Sequence, residues 1–88
     1  MESSEFNSWK EEREKDRVLA LIEERGTLDI LQISDSLGKS PEDTRKIVQK
    51  LQEQNLVQSK AGNIYQLTFE GYKRARMLRS QQNQQRSY

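Results

Sequence analysis

Residues 40–54 of this sequence define one helix, including both its beginning and its buried side. Ser40-Pro41-Glu42-Asp43 combines a serine able to cap a helix, a proline suited to the first helical position and two acids in the first turn. The residues that follow place one stripe at helical spacing, formed by Thr44, Ile47, Val48 and Leu51. The sequence therefore predicts a helix from Pro41 to about Gln54, and the rest of the chain has to supply the core against which that stripe packs.

The chain is short and lacks most of the side chains used in catalysis. With 88 residues, 32% of them hydrophobic and 33% charged, it has apolar material for one compact core. It contains no cysteine and no histidine, which excludes disulfides, thiol chemistry, imidazole metal ligands and histidine acid-base catalysis. Asp29 and Asp35 are the candidate paired carboxylates in the central segment, and Asp29 is expected to cap a helix. We therefore expect no enzyme activity, no metal and no cofactor.

Targeting signals are not evident in the sequence. No apolar run approaches the roughly 18 residues of a membrane span. The amino-terminal residues MESSEFNS lack the basic and then apolar regions of a signal peptide. A cytoplasmic location is the expectation that follows.

The net charge of +1 hides an uneven distribution along the chain. Residues 1–25 hold eight acids and five bases, which gives −3, whereas residues 26–88 hold six acids and ten bases, which gives +4. Half of those ten bases follow Leu67, namely Lys73, Arg74, Arg76, Arg79 and Arg86. The carboxy-terminal part is therefore either a basic surface for an anionic partner or an ordinary solvated surface.

A first helix is predicted near the amino terminus. Ser8 and Glu11 have capping-box spacing, so this helix is expected to begin there and to end at Arg25, before Gly26. Its buried stripe is Val18, Leu19, Leu21 and Ile22, whereas the charged run KEEREKDR (residues 10–17) is predicted to stay out of the core. Phe6 and Trp9 precede the run and are expected to pack on a second subunit or to fold back locally.

Two further short elements precede the central helix. Residues 27–30 are predicted to form a single rung of a sheet. Asp29 and Gln32 again have capping-box spacing, which predicts a short helix from Ile30 to Leu37 that ends at Gly38. Ile30, Ile33 and Leu37 fall on one face of it.

The second half of the chain predicts a hairpin followed directly by a helix. Residues 56–60 and 64–68 are the predicted strands, joined by Ala61-Gly62-Asn63, with Tyr65 and Leu67 on one side of the second strand. Thr68 is expected to cap a last helix from Phe69 to about Ser80. Gly71 lies in its first turn, where glycine costs about 1 kcal/mol relative to alanine. We therefore expect the backbone there to approach the hairpin or the first helix too closely for a side chain.

This order of elements, over residues 16–78, resembles the winged helix-turn-helix, a mainly α fold with a small β-hairpin. The segment ISDSLGKSPEDTRKIVQKLQEQNLV resembles the helix-turn-helix of bacterial and archaeal regulators. IYQLTFEGYKRA is similar to the end of the wing in small multiple-antibiotic-resistance-regulator or PadR-type transcriptional regulators. The corresponding organisation is a charged helical extension (1–15), a winged helix-turn-helix domain (16–80) and a polar disordered tail (81–88).

The resemblance implies a DNA-binding transcriptional regulator that places helix 41–54 in the major groove and uses hairpin 56–68 as the wing. Arg45 and Gln49 would then contact bases, since arginine pairs with guanine and glutamine with adenine through two hydrogen bonds. The implied DNA-contacting residues are Lys39, Ser40, Arg45, Lys46, Gln49, Lys50, Lys60 and Asn63. Two departures from the family pattern are Asn55, where many members have glycine, and the acids Glu42 and Asp43, which repel phosphate.

Association through the terminal helices is the expected oligomeric arrangement. The candidate residues of a homodimer interface are Phe6, Trp9, Tyr72 and Met77. The basic run YKRARMLRS (residues 72–80) is expected to pair with the acids of KEEREKDR, within one chain or between two. Two alternatives to DNA binding remain: a winged-helix protein-protein interaction module, and a small-molecule sensor whose groove is lined by Trp9, Tyr72 and Met77.

Overall fold

The chain adopts a winged-helix fold in a computed structural model, which describes the backbone of residues 2–86 and the side chains of residues 10–80. In chain order its elements are α1 (Glu2–Arg25), β1 (Thr27–Asp29), α2 (Ile30–Leu37), α3 (Pro41–Glu53), β2 (Val57–Ala61), β3 (Ile64–Leu67) and α4 (Phe69–Arg86). The three strands form one antiparallel sheet in the order β1-β3-β2. This confirms the fold class and the order of elements expected from the sequence.

Within residues 2–86 no helix is long and apolar enough to cross a membrane.

One hydrophobic core lies between the helices and the sheet. The predicted stripe of α3 and the inner side of β3 are buried. The predicted faces of α1 and α2 are buried except for Leu21 and Leu37, which are partly buried against the core. The core consists of Val18, Leu19, Ile22, Leu28, Ile30, Ile33, Ile47, Val48, Leu51, Val57, Tyr65, Leu67 and Ala75. Burial of this single apolar cluster is the main stabilising term available to a domain of this size.

Local hydrogen bonds define where α2 and α3 begin and end. The Ser40 hydroxyl accepts the backbone N–H of Asp43 at 3.1 Å. Asp29 and Gln32 exchange side-chain and backbone hydrogen bonds of 2.9 and 3.0 Å, which completes the predicted capping box. Gly38 ends α2 in the left-handed conformation, with a φ of 69°. All three predictions are therefore confirmed, and together they place α3 directly after α2.

The first helix differs from its prediction in two respects. It begins at Glu2 rather than at Ser8, since residues 2–9 contain no glycine or proline that would prevent a helix. The predicted boundary between residues 15 and 16 consequently lies inside α1. The charged run also does not remain wholly outside the core, because Lys15 is only 6% exposed. Its ammonium group reaches Glu12 at 2.9 Å, so that the aliphatic stem is buried while the charge stays paired.

The hairpin forms with slightly different boundaries from those predicted. β2 starts at Val57 and includes Ala61, so that Gly62 and Asn63 alone form the turn, and a bulge lies between Ser59 and Ala61. Gly62 adopts the expected positive φ, at 55°. β1 contributes three paired positions rather than one, each opposite a residue of β3. Strand β3 of the wing is therefore paired with β1 on one edge and with β2 on the other.

The start of α4 is held by a close contact with the residue before the hairpin. The Thr68 hydroxyl accepts the backbone N–H of Gly71 at 3.0 Å and donates to the Asn55 carbonyl at 2.7 Å. A Cβ atom on Gly71 would overlap the Leu56 carbonyl oxygen and lie 2.9 Å from its carbon. The expected close approach is confirmed, and its partner is Leu56. The helix itself runs to Arg86, six residues past its predicted end at Ser80.

Candidate nucleic-acid interface

Three of the predicted DNA-contacting residues lie on the side of α3 that faces away from the core. Because Thr44, Ile47, Val48 and Leu51 are buried, the side of α3 that carries Arg45, Lys46 and Gln49 points to solvent, and all three are exposed. The cap at Ser40 and the proline that follows it fix where this helix starts and hence how it is oriented on α2. The predicted recognition helix is therefore accessible along this face.

The structure brings Arg45 and Asn63 together across 18 residues of sequence. The Arg45 guanidinium donates to the Asn63 side-chain oxygen at 3.4 Å, a long hydrogen bond between exposed groups. The Asn63 backbone carbonyl in turn accepts the N–H of Ile30 at 3.1 Å, which attaches the turn of the wing to the start of α2. The exposed side of α3 and the tip of the hairpin thus belong to one continuous surface.

Lys46, Gln49 and Lys60 remain available to a partner on this surface. Each is exposed, and none has an ion pair or side-chain hydrogen bond with the residues whose side chains are described, 10–80. Ser40 is also exposed, but its hydroxyl already accepts the Asp43 amide. Of the four lysines predicted to contact DNA, Lys46 on α3 and Lys60 on β2 are thus the two without an ion pair among the described residues.

Lys39 and Lys50 are instead paired with acids of the first helix. The ammonium nitrogen of Lys39 lies 2.8 Å from a Glu14 carboxylate oxygen, and that of Lys50 lies 2.8 Å from a Glu11 carboxylate oxygen. The hydrogen bond from Lys50 lowers the pKa of Glu11, and that from Lys39 to Glu14 raises the pKa of Lys39. Sequence reasoning missed these contacts, since it expected the acids of KEEREKDR to meet the basic run of α4.

Helix α3 carries no excess positive charge. Its three bases, Arg45, Lys46 and Lys50, are matched by three acids, Glu42, Asp43 and Glu53. Glu42 and Asp43 lie in the first turn, where the helix dipole favours negative charge, so they stabilise the helix. The same two carboxylates make the electrostatic potential at this end of α3 less favourable for phosphate. Any attraction of this face for an anion has to come from the arrangement of individual cations.

The residues predicted for a dimer interface are described only in part. The side chains of Phe6 and Trp9 lie outside the described residues. Tyr72 and Met77 are 47% and 59% exposed on α4, and their five-residue spacing separates them by about 140° around the helix. Phe69 is also exposed, with the Lys73 ammonium 5.0 Å from its ring centroid. The described part of α4 thus exposes apolar side chains on more than one side.

The basic run of α4 forms a mixed set of ion pairs. Arg74 lies 3.7 Å from Asp16, which is a pairing with the charged run as predicted. Arg79 pairs with Glu23, further along α1, at 3.2 Å, and Lys73 pairs with Glu70 in its own helix at 3.4 Å. The expected pairing between the two runs is thus limited to one contact, because the other acids of residues 10–17 that form pairs face α3 or their own helix.

Within residues 10–80 no group of acids is placed to hold a metal ion.

Comparison with known proteins supports the fold. No family model matches the chain, and no curated protein matches it. Among solved structures it is similar to the apo form of a double mutant of ZitR from Lactococcus lactis, at a TM-score of 0.77 and 20% identity over 94% of this chain and 67% of that one. A single mutant of ZitR matches at a TM-score of 0.73 and 23% identity, over 82% of this chain and 53% of that one.

RV1404 from Mycobacterium tuberculosis is similar at a TM-score of 0.72 and 18% identity, over 82% of this chain and 53% of that one. The chain therefore spans about half to two thirds of the length of these solved chains. At these identities the likeness concerns the arrangement of helices and strands, and it places the chain among winged-helix structures.

Proposed function

We propose that this protein is a DNA-binding transcriptional regulator of the multiple-antibiotic-resistance-regulator or PadR type, which acts as a homodimer. The observation that carries the proposal is the contact between Arg45 of α3 and Asn63 at the tip of the hairpin. This contact places a guanidinium group and the turn of the wing on one exposed surface. A protein that contacts bases in the major groove with a helix and the adjacent backbone with a wing requires this arrangement. The similarity of fold to ZitR and RV1404 supports the same reading.

In the proposed complex α3 enters the major groove and the hairpin lies along the adjacent backbone. Arg45 and Gln49 are assigned to base edges because their side chains offer two parallel hydrogen bonds to guanine and adenine. Lys46 and Lys60 are assigned to phosphates, where a lysine acts as a point charge without reading sequence. A twofold dimer would address two half-sites about 34 Å apart, one helical turn of DNA.

The experiment that tests the proposal is a titration of labelled duplex DNA of mixed sequence, followed by fluorescence anisotropy at increasing salt. Binding through about five or six phosphates would give a log-log slope of about −4 to −6. Lys60→Gln removes two phosphate contacts per homodimer and should reduce the magnitude of that slope by about 1.8, whereas Lys73→Gln, on α4, should leave it unchanged. Absence of binding at low salt would reject DNA as the partner.

A second candidate function is a protein-protein interaction module built on the same fold. It is favoured by the net charge of zero on α3, where Glu42, Asp43 and Glu53 offset the bases. Such a face suits a partner with basic side chains better than it suits a polyanion. The double substitution Glu42→Gln and Asp43→Asn separates the two functions: it should strengthen binding to DNA, and it should weaken binding to a basic helical peptide.

A further inference from the structure

We infer that Glu11 and Glu14 of α1 compete with DNA phosphate for Lys50 and Lys39, so that the first helix limits the affinity of the α3 surface. The inference rests on the proposed function and adds a regulatory element to it. Both acids belong to the charged run of α1, three residues apart. Glu11 reaches Lys50 of α3 and Glu14 reaches Lys39, two residues before α3, each at 2.8 Å. The charged run therefore neutralises two of the five cations predicted to contact DNA, which are Lys39, Arg45, Lys46, Lys50 and Lys60.

The two pairs differ in how strongly they hold their lysines. Lys39 and Glu14 are shielded from water, with side chains 26% and 18% exposed, and shielded pairs are less weakened by salt than surface pairs. Lys50 and Glu11 are about half exposed, at 47% and 48%, and such pairs are weak individually. The raised pKa of Lys39 and the lowered pKa of Glu11 are consistent with direct contact in both pairs. Lys50 should consequently be released to DNA more readily than Lys39.

The two acids of α1 matter because α3 has no excess positive charge. The bases of α3, including Lys50, cancel its acids, and Glu11 and Glu14 add two negative charges where Lys39 adds only one positive charge. A phosphate that approaches Lys39 or Lys50 has to displace a carboxylate already bound there, and the displaced carboxylate remains nearby to repel it. Removal of the charge on Glu11 or Glu14 therefore frees one lysine and removes one repelling group.

The chain contains a matched control for this effect. Glu23 is also an acid of α1 in an ion pair, at 3.2 Å, but its partner is Arg79 of α4 rather than a residue next to α3. Glu23→Gln changes the net charge of the protein by the same amount as Glu11→Gln or Glu14→Gln. A difference between these variants consequently reports the location of the charge and not its sum.

The test measures DNA binding of the full chain and of the three variants by fluorescence anisotropy on the same duplex, between 50 and 200 mM salt. Each variant should free one lysine per subunit, which adds about two phosphate contacts per homodimer and steepens the log-log slope by about 1.8. The advantage of Glu11→Gln or Glu14→Gln over the unmodified chain should thus shrink about 12-fold over that fourfold range of salt. Glu23→Gln should leave the slope unchanged. Glutamine preserves side-chain shape, and circular dichroism of each variant verifies folding.

A double-mutant cycle shows whether Glu14 acts through Lys39. Glu14→Gln should steepen the salt slope in the unmodified chain, whereas with Lys39→Gln already present it removes only the repelling carboxylate and should not steepen the slope. A steeper slope that persists without Lys39, or an equal steepening by Glu23→Gln, would overturn the inference and leave DNA binding intact. Binding by the unmodified chain with no change in any variant would do the same. If only the Glu11 and Glu14 variants bind, the inference is supported in its strongest form; if nothing binds, both the inference and the proposed function are rejected.

Discussion

The carbonyl oxygen of Leu56 occupies the space that a side chain on Gly71 would need. That oxygen is held in place because it accepts the backbone N–H of Thr68 at 3.1 Å. The residue before the hairpin is therefore fastened to the first turn of α4, and glycine at position 71 is required by the geometry of this contact rather than by its own backbone conformation.

Gly71→Ala should destabilise the protein even though alanine is the better helix former. Alanine would gain about 1 kcal/mol from helix propensity, but forcing a Cβ against a fixed backbone carbonyl costs about 1–3 kcal/mol or more. Urea denaturation measures the net loss. Arg76→Ala, on the exposed side of the same helix, should change stability by less than about 0.5 kcal/mol. An unchanged or increased unfolding free energy for Gly71→Ala would show that Leu56 can move away.

Thr68→Val should lower the unfolding free energy by about 1–2 kcal/mol, as expected for loss of a helix cap together with a second hydrogen bond. The hydroxyl joins the Asn55 carbonyl at 2.7 Å to the Gly71 amide at 3.0 Å, and valine has the same shape without either bond. Thr68→Ser keeps the hydroxyl and should retain most of the stability in the same denaturation experiment. A loss in Thr68→Ser with none in Thr68→Val would assign the effect to the methyl group instead of the hydroxyl.

Asp16 gives the protein a specific dependence of stability on pH. Burial raises the pKa of Asp16 above its ordinary 3.8, against the opposing effect of Arg74 and with a smaller contribution from Glu12. The folded chain thus binds this proton more tightly than the unfolded chain does, and the contribution of Asp16 to stability falls as pH rises through the interval above 3.8.

Asp16→Asn, which cannot ionise, should therefore gain stability relative to the unmodified chain between pH 3 and pH 7. Urea denaturation of both proteins at the two values measures this difference. Asp35→Asn removes an exposed acid of α2 and provides the control for net charge. The same gain in the Asp35 variant would contradict the assignment to Asp16.

Arg45 and Lys46 should have different effects on DNA binding although they are neighbours on α3. Arg45→Lys keeps the charge but loses the paired hydrogen bonds, so it should remove about 1–3 kcal/mol of discrimination at one base pair. Lys46→Gln should weaken all sequences alike and reduce the magnitude of the salt slope by about 1.8 for the homodimer. Anisotropy with a selected site and its single-base variants distinguishes these outcomes, and uniform weakening by Arg45→Lys would reassign Arg45 to phosphate.

The proposed homodimer predicts that Met77→Asp reduces self-association. Met77 is 59% exposed on α4, and a carboxylate there would have to be desolvated in an interface between two chains. Leu31→Asp is the matched control, because Leu31 is 61% exposed but lies on α2. Sedimentation equilibrium should show more monomer for the Met77 variant alone. Identical behaviour of both variants would place the interface elsewhere.

Features that depend on neighbouring residues in the sequence were predicted correctly. The caps at Asp29 and Ser40 and the end of α2 at Gly38 follow from side-chain hydrogen bonds and steric freedom within a few residues. The buried stripe of α3 follows from the period of the helix. The start of α1 and the end of α4 were predicted less accurately, because no helix-breaking residue marks either position.

Contacts between residues distant in the sequence were decided only by the tertiary structure. The pairing of Lys50 with Glu11 spans 39 residues, and the charges of the two runs are equally compatible with several other pairings. The burial of Lys15 likewise depends on how α1 lies on the other helices. The sequence alone thus determined the elements, their caps and their apolar faces, because these are set by local chemistry. The packing of α1 against α3 determined which lysines are neutralised, because ion pairs depend on distances that only the folded chain defines.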